Sequence, residues 1–269
     1  MKKLMHILGT GTATVSKYVN TACAFDDGDS LFLVDGTGGA DILRSFDIMN
    51  LEWARLHHAF LSHEHTDHFL GMIWVVRNIG EEIILDRYDG DFYLYGHREL
   101  MDKVRQVCNM LLKPQGRELI DQRIFLVPVE DMQEEKIWNC DFAFFDIGST
   151  KARQFGFHMT WPDGTRVLFP GDEPLSEKGE SFCDNVDWLL SEAFCLYRDK
   201  DIFNPYQYHH MTVKESAVIA QNHNAKNLVL WHTEDATFGH RKELYTAEAS
   251  HYYAGRIWVT NDWETIHLY

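Results

Sequence analysis

The sequence predicts an α/β protein built on two β-sheets that pack together with helices on the outside. Short apolar runs typical of β-strands occur in both halves of the 269-residue chain, and helical segments are interspersed among them. No stretch rich in Pro, Gly and Ser divides the chain, and we therefore expect a single domain over residues 1–269.

Strands dominate the first quarter of the chain, where apolar runs alternate with turn sequences. Four strands are predicted, at Met5–Leu8, Ala22–Phe25, Leu31–Val34 and Ala59–Ser62. A helix is expected whose first residues are Ala40–Phe46. The run Phe69–Ile79 is apolar on nearly every side, which predicts a buried helix.

Strands and helices continue through the rest of the chain. Further strands are predicted at 92–96, 124–129 and Asn227–Trp231, with a β-rich stretch over 137–169. Helices are predicted at about 98–112 and from Thr212 to about His223, the latter because Thr212 and Glu215 have the spacing of a capping box. The segment at about 79–122 is longer than a simple connection, which makes it a candidate rim over the functional site.

Composition and charge exclude several classes of partner. The chain carries 25 Lys and Arg against 41 Asp and Glu, a net charge of −16, which disfavours nucleic acid because its binding draws on clustered positive charge. The five cysteines form no CxxC pair, which suits a reducing cytosol, and no apolar run is long enough to predict a membrane span. We expect a cytoplasmic protein that acts on a small molecule without a membrane partner, and a homodimer is compatible with the sequence.

Four apolar strand-like runs each end in a residue that can bind a metal or transfer a proton. Residues 59–62 lead into His63, 167–169 into Asp172, 188–191 into Glu192, and 228–231 into His232. Polar residues at strand ends, supported by a rigid sheet, are a common way in which a fold assembles a site. We therefore expect these four residues to contribute to one site.

The most informative motif is His63-x-His65-x-Asp67-His68. Side chains two residues apart in an extended segment point the same way, so His63 and His65 can bind one metal ion. Asp67 and His68 fall where the chain enters the next helix, and they can face a second ion about 3.5–4 Å from the first. A polar loop with surface histidines is the alternative, but four ligand-type residues directly after a strand favour a metal site.

The remaining candidates are ambiguous when each is considered alone. The sequence Pro-Gly-Asp172 is also an ordinary turn, His232 could be a core histidine, and Glu192 could cap the following segment. His209 and His210 precede the predicted capping-box helix, where a histidine could donate a proton to a leaving oxygen or simply lie on a loop. Their shared position at strand and helix ends is what indicates a function.

These motifs resemble the metallo-β-lactamase superfamily and, within it, the ribonuclease Z-like hydrolases. The likeness follows nearly the whole chain in order. It is carried by the segments Met5–Thr12, Leu31–Gly36, His63–His68, Pro170–Asp172, Ser191–Ala193, His210–Glu215 and Leu230–His232. The resemblance implies a four-layer αβ/βα sandwich, the metallo-β-lactamase fold, with a dinuclear metal site at one edge of the two sheets.

The resemblance also implies a role for each site residue. His210, oriented by Glu192, would donate a proton to the leaving group, and Asp67 would help to orient the attacking hydroxide. Zinc is the expected metal, with manganese or iron as alternatives. The implied ligands are His63 and His65 for metal one, Asp67, His68 and His232 for metal two, and Asp172 as the bridge.

The chain departs from the family pattern just before the bridging Asp172. The family places a further metal-one histidine there, whereas residues 146–151 contain none. Gly148 is the expected position of the missing histidine, with Ser149 or Thr150 as alternatives, and we therefore expect one tight metal site and a second that is weak or empty. Ribonucleases Z that process tRNA carry a long arm in this region, for which residues 149–171 leave no room.

The sequence therefore predicts a metal-dependent hydrolase that acts on a phosphodiester or another small ester-like substrate. A lactonase, thioesterase or β-lactamase on the same fold is an alternative, against which the pair Glu192 and His210 argues. A binding or regulatory protein that has lost catalysis is a further alternative, motivated by the missing histidine.

Overall fold

The computed structural model of the protein describes residues 2–269, which divide into two compact units. The first unit contains residues 2–9, Val19–Glu130 and Asp262–Tyr269, and the second contains Thr10–Tyr18 and Asp131–Asn261. Within the described residues, each unit contains one seven-stranded sheet.

The elements are numbered in chain order. The strands are β1 (Leu4–Gly9), β2 (Ala22–Asp26), β3 (Leu31–Val34), β4 (Leu56–Phe60), β5 (Phe92–His97), β6 (Ile124–Val129), β7 (Glu134–Ile137), β8 (Cys140–Asp146), β9 (Phe155–Thr160), β10 (Arg166–Phe169), β11 (Trp188–Glu192), β12 (Asn227–Trp231), β13 (Arg256–Val259) and β14 (Glu264–His267). The α-helices are α1 (Asp41–Ile48), α2 (Thr66–Ile84), α3 (Arg98–Leu111), α4 (Pro114–Glu118), α5 (Glu177–Cys183), α6 (Lys200–Phe203), α7 (Val213–Asn222) and α8 (Arg241–Ala249).

The sheet of the first unit has the strand order β14-β1-β2-β3-β4-β5-β6. Strands β14 to β3 pair antiparallel in that order, and β3 to β6 pair parallel. The core buries Phe46 of α1 and Met72 and Ile79 of α2 together with sheet residues such as Leu33 and Leu94. Because β3 and β4 are parallel neighbours, the residues that follow them emerge at the same edge of the sheet.

The loop after β3 lies in close backbone contact with helix α2. A Cβ atom at Gly71 would lie 1.6 Å from the Gly36 carbonyl oxygen, and one at Gly36 would lie 2.1 Å from the Met72 nitrogen. The Gly36 amide donates to the His68 carbonyl at 2.9 Å, and the Gly71 amide donates to the Thr37 carbonyl at 3.0 Å. Only glycine fits at positions 36 and 71, and the end of β3 is therefore fixed against the first turns of α2.

The sheet of the second unit has the order β13-β12-β11-β10-β9-β8-β7. Strands β7 to β10 pair antiparallel, and β10 to β13 pair parallel. Its core buries Val213 and Ala217 of α7 and Tyr245 of α8 with Leu189 and Leu228 of the sheet. The parallel neighbours β10, β11 and β12 direct the residues that follow them to one edge.

Most elements predicted from the sequence are present, with shifted ends. The buried helix begins at Thr66 and ends at Ile84, rather than spanning Phe69–Ile79. The strand expected at Ala59–Ser62 is β4, which begins at Leu56 and ends at Phe60. Its first residues were not predicted because the half-buried His57 and His58 interrupt the apolar run. Helices α5 and α8 and strands β13 and β14 are missing from the prediction because exposed polar residues interrupt them. Among residues 2–269, no helix is both long and apolar enough to cross a membrane.

The candidate rim over about 79–122 contains the end of α2, then β5, α3 and α4. Strand β5 pairs with β4 and β6, so this part of the segment belongs to the sheet of the first unit. A rim formed by α3 and α4 stays a prediction.

A buried carboxylate ties the end of β2 to its neighbours in the first unit. Asp26 is 1% exposed and accepts hydrogen bonds from His6 Nε2, the Gly28 amide and the Arg55 guanidinium. Burial alone would raise the pKa of Asp26, but these bonds outweigh it and hold the pKa well below its usual range.

The lowered pKa of Asp26 predicts a pH-dependent contribution to stability. The charged carboxylate stabilises the folded state above its unfolded pKa of about 3.9, and this stabilisation is lost as the pH falls toward the folded pKa. We expect Asp26→Asn to lower the free energy of unfolding by about 2 kcal/mol at pH 7, with a smaller difference from wild type below about pH 4. The exposed Asp29→Asn is the matched control, and urea unfolding at several pH values is the measurement. An Asp26→Asn effect that is equal at pH 3 and pH 7 would contradict the linkage.

Candidate functional site

The loop after β4 and the start of α2 bring the four residues of the histidine motif together. His63 Nε2 lies 2.9 Å from His65 Nδ1, and the ring centroids of His63 and His68 are 4.3 Å apart. Asp67 lies in the first turn of α2, where a carboxylate is favoured by the helix dipole, and its Oδ2 is 3.2 Å from His68 Nε2. His63, Asp67 and His68 are buried, and His65 is half-buried.

A fifth residue, Asp35, orients two of these imidazoles. Asp35 follows β3, is buried, and has a left-handed φ of 58°. Its Oδ2 accepts from His68 Nδ1 at 2.7 Å, and it also accepts from the amide and hydroxyl of Ser62. Since the Ser62 hydroxyl donates to Asp35, its oxygen accepts from His63 Nδ1, 2.9 Å away. Carboxylates commonly hold metal-binding imidazoles in this way.

These hydrogen bonds determine which ring nitrogens carry lone pairs. With Nδ1 donating, a neutral His63 or His68 has an unprotonated Nε2, which can only accept a hydrogen bond or bind a cation. His68 Nε2 therefore faces Asp67 Oδ2, a second acceptor, at 3.2 Å. Two ligands of one tetrahedral zinc ion lie about 3.3 Å apart, so this spacing suits a shared cation.

In the second unit, Asp172 and His232 form a similar pair. Asp172 follows β10 and His232 follows β12, and both are buried. His232 Nε2 lies 3.4 Å from Asp172 Oδ2 and 3.1 Å from Thr12 Oγ1. His232 has a left-handed φ of 54°, a conformation that costs a non-glycine residue on the order of 1 kcal/mol and is found at functional sites.

Glu192 at the end of β11 holds His210 beside Asp172. Glu192 Oε2 accepts from His210 Nδ1 at 2.7 Å, and Oε1 accepts from the Met211 amide at 2.8 Å. His210 Nδ1 is also 2.9 Å from the Asp172 carbonyl oxygen. Complete burial raises the pKa of the Glu192 carboxyl to about 7. Burial opposes a charge on His210, but the Glu192 carboxylate outweighs it, and the pKa of His210 lies above its usual value.

The segment that lacks the family histidine is held by a different set of contacts. Gly148 is exposed with a φ of 75°, and no atom lies within 4 Å of the position that a Cβ would occupy. The Ser149 hydroxyl donates to Glu173 Oε1 at 2.7 Å, directly beside Asp172 in the chain. The buried Gln154 donates from Nε2 to Asp172 Oδ1 at 2.6 Å.

The structure brings the predicted residues together in two groups, one in each unit. His63, His65, Asp67 and His68 form the first, and Asp172, Glu192, His210 and His232 form the second. His209 is exposed, and it is His210 that contacts Glu192. Asp35 and Gln154 have no role predicted from the sequence. The strand-end rule could have identified Asp35, because it directly follows the apolar run Leu31–Val34.

The fold is shared with proteins of known structure. YhfI from Bacillus subtilis, a metallo-β-lactamase fold protein, has a TM-score of 0.78 at 18% identity, with 99% of both chains covered. Human tRNase Z, short form, has a TM-score of 0.76 at 17% identity, again with 99% of both chains covered. Zinc-bound PqqB from Methylobacterium extorquens has a TM-score of 0.72 at 14% identity, covering 98% of this chain and 100% of that one. The predicted metallo-β-lactamase fold, with two mixed sheets flanked by helices, is confirmed.

Sequence relatives point to the same class. The ribonuclease Z of Azobacteroides pseudotrichonymphae is 23% identical over 258 residues, which cover 85% of this chain and 86% of the relative. The fold, these relatives and the candidate ligands define a ribonuclease Z-like metal-dependent hydrolase of the metallo-β-lactamase superfamily. Within that class, the chain belongs to the family described as anti-Pycsar protein Apyc1, whose model matches residues 3–236.

The role of Asp35 predicts a loss of metal affinity without a loss of fold. Asp35→Asn keeps the shape of the side chain but removes the charge that holds His68 and Ser62, and we expect zinc to bind about 10–100-fold more weakly. Competition with a chelating dye measures the affinity, and Asp41→Asn, an exposed substitution in the same unit, is the control. An unchanged zinc affinity in Asp35→Asn would contradict this role.

Proposed function

We propose that the protein hydrolyses a small phosphodiester with the help of a bound divalent cation. The observation that carries this proposal is the spacing of potential ligand atoms in both units. Three pairs of potential ligand atoms lie close together, at 2.9 Å (His63 and His65), 3.2 Å (Asp67 and His68) and 3.4 Å (Asp172 and His232). Adjacent ligands of one tetrahedral zinc ion are about 3.3 Å apart, and the donor set of imidazoles and carboxylates fits zinc, manganese or iron.

The proposed ligands follow the superfamily pattern, each offering an imidazole nitrogen or a carboxylate oxygen. Metal two would be held by four side chains and metal one by fewer, because Ser149 and Gly148 offer no imidazole. Gln154 supports this difference, since its amide donates to Asp172 Oδ1 and would compete with a cation for that oxygen. We therefore propose one tight metal site and a weak or empty second one. The ligands are His63, His65 and Asp172 for metal one, and Asp67, His68, His232 and Asp172 for metal two.

The residues of the second unit supply the proton in the proposed reaction. When bound, the cation provides Lewis acidity and a nucleophile derived from water. His210 donates a proton to the leaving oxygen as the P–O bond breaks. The Glu192 carboxylate, whose Oε2 lies 2.7 Å from His210 Nδ1, stabilises the positive charge of the imidazolium before this transfer. Asp67 orients the attacking oxygen in the family mechanism, and the N-terminus of α2 is a favourable place for its negative charge.

The substrate is proposed to be small and not a folded RNA. The net charge of −16 opposes association with a polyanion, and residues 149–171 leave no room for the long arm of tRNA-processing relatives. A phosphodiester needs a proton donor for its leaving alcohol, and the pair of His210 and Glu192 provides one.

Hydrolysis by His210 variants tests the reaction class. We expect zinc- or manganese-loaded protein to hydrolyse bis(p-nitrophenyl) phosphate and a 3′,5′-cyclic mononucleotide. His210→Ala should lower kcat for the cyclic nucleotide by about 10²–10⁴-fold, because its alkoxide leaving group needs a proton. The neighbouring exposed His209→Ala is the matched control and should stay near wild type.

A substrate panel with a lactone, a thioester and a β-lactam is measured beside the phosphodiesters. Faster turnover of any of these three, or equal activity in His210→Ala and His209→Ala, would contradict the proposal. No turnover of any substrate with any metal would favour a binding or regulatory protein that has lost catalysis.

Metal content tests the unequal sites separately from activity. We expect wild type to retain about one tightly held zinc ion after dialysis, and Asp172→Ala to lose it. Ser149 is the better position for the missing histidine, because its side chain contacts Glu173 beside Asp172, whereas Gly148 is exposed. Ser149→His should therefore raise the zinc content to about two, and Gly148→His should leave it at one. Two tightly held ions in wild type by elemental analysis would contradict the proposal.

A further inference from the structure

A recess of about 420 Å³ lies beside His210 in the second unit. Its size falls within the range of small-molecule sites, which are about 300–1,000 Å³. The recess is lined by Pro174, Tyr206, His210 and Met211, and by Val218 and Ile219 of α7. The recess is thus an apolar space with the proposed proton donor in its wall.

Tyr206 presents an exposed but fixed aromatic surface to the recess. The residue is 51% exposed, yet its hydroxyl donates to Glu215 Oε1 at 2.8 Å. The other oxygen of Glu215 accepts from the Thr212 amide at 2.8 Å in the capping box of α7. A ring that is already held in place offers a flat contact surface at a low cost in conformational entropy.

His210 is oriented so that one nitrogen is left for a ligand. Its Nδ1 is engaged by Glu192 and by the Asp172 carbonyl, and its ring stacks on Phe194 with centroids 5.0 Å apart. The Nε2 edge is therefore the part of the imidazole that can meet a molecule in the recess.

The two charged residues of the recess are occupied by other contacts. The Lys214 ammonium lies 4.0 Å from the Tyr197 ring centroid and 5.5 Å from that of Tyr252. The Glu215 carboxylate is used by Thr212 and Tyr206. The recess thus offers a ligand apolar and aromatic contact rather than a free charge, which selects a neutral, flat group.

From this geometry we propose that the recess binds the leaving alcohol of the substrate and that this alcohol carries an aromatic or heteroaromatic ring. The inference rests on the proposed function. In the reaction, water supplies the oxygen that forms the new P–O bond, the bond to the leaving oxygen breaks, and that oxygen takes a proton from His210 Nε2. The products are a phosphomonoester and the ring-bearing alcohol, and the proton lost by the attacking water restores His210.

Substitutions in the recess test this assignment through KM. Val218→Trp fills the recess, and Tyr206→Ala removes the aromatic ring at position 206. We expect each substitution to raise KM for bis(p-nitrophenyl) phosphate about tenfold while kcat stays within about threefold. Tyr206→Phe keeps the ring but loses its hydrogen bond to Glu215, and it should raise KM less than Tyr206→Ala does. Asn222→Trp, an exposed substitution on the same helix, controls for the added tryptophan. Unchanged KM values in both Val218→Trp and Tyr206→Ala would overturn the inference.

A binding measurement separates this inference from the proposed function. In the metal-loaded protein labelled at methionine methyl groups, p-nitrophenol should shift the Met211 signal, cyclohexanol should do so about tenfold more weakly, and Val218→Trp should abolish the shift. Equal shifts with both alcohols would overturn the inference. Aryl-selective shifts without hydrolysis of any phosphodiester would support a ring-binding recess and contradict the proposed function alone.

Discussion

Potential ligand atoms of buried side chains, held about 3 Å apart, are the constraint on which the candidate site depends. His68 Nε2 and Asp67 Oδ2 illustrate it. Because His68 Nδ1–H donates its hydrogen bond to Asp35, the lone pair of a neutral His68 is on Nε2, which faces Asp67 Oδ2 at 3.2 Å. Such an arrangement is unfavourable in a buried position unless a cation or a proton lies between the atoms. A divalent ion bound between these atoms would stabilise the arrangement.

Each sheet positions its candidate residues in the same way, at the ends of parallel strands. In each unit, parallel neighbouring strands end at one edge, and candidate side chains lie at the strand end or within a few residues of it. Asp35 and His232 even share the left-handed backbone conformation immediately after a strand. The close contact of Gly36 with Gly71 then fixes the carboxylate of Asp35 against the first turn of α2. The positions of the candidate ligands thus follow from backbone packing more than from side-chain flexibility.

The fold and most candidate residues could be predicted from the sequence because their signals are local. The motif from His63 to His68 is contiguous, and Asp172, Glu192 and His232 each directly follow an apolar run or a short turn. Gln154 could not be predicted, because its contact with Asp172 spans 18 residues and depends on β9 and β10 pairing antiparallel. The recess beside His210 was likewise invisible, since it needs Pro174 and α7 to approach in three dimensions.

Binding of a divalent cation by Asp67 and His68 is the central expectation. X-ray diffraction from zinc-loaded crystals, measured above and below the zinc absorption edge, tests this most directly. We expect a strong anomalous peak within bonding distance, about 2.0–2.2 Å, of His68 Nε2 and Asp67 Oδ2. A peak located away from these atoms, or no peak in crystals that contain stoichiometric zinc, would contradict it.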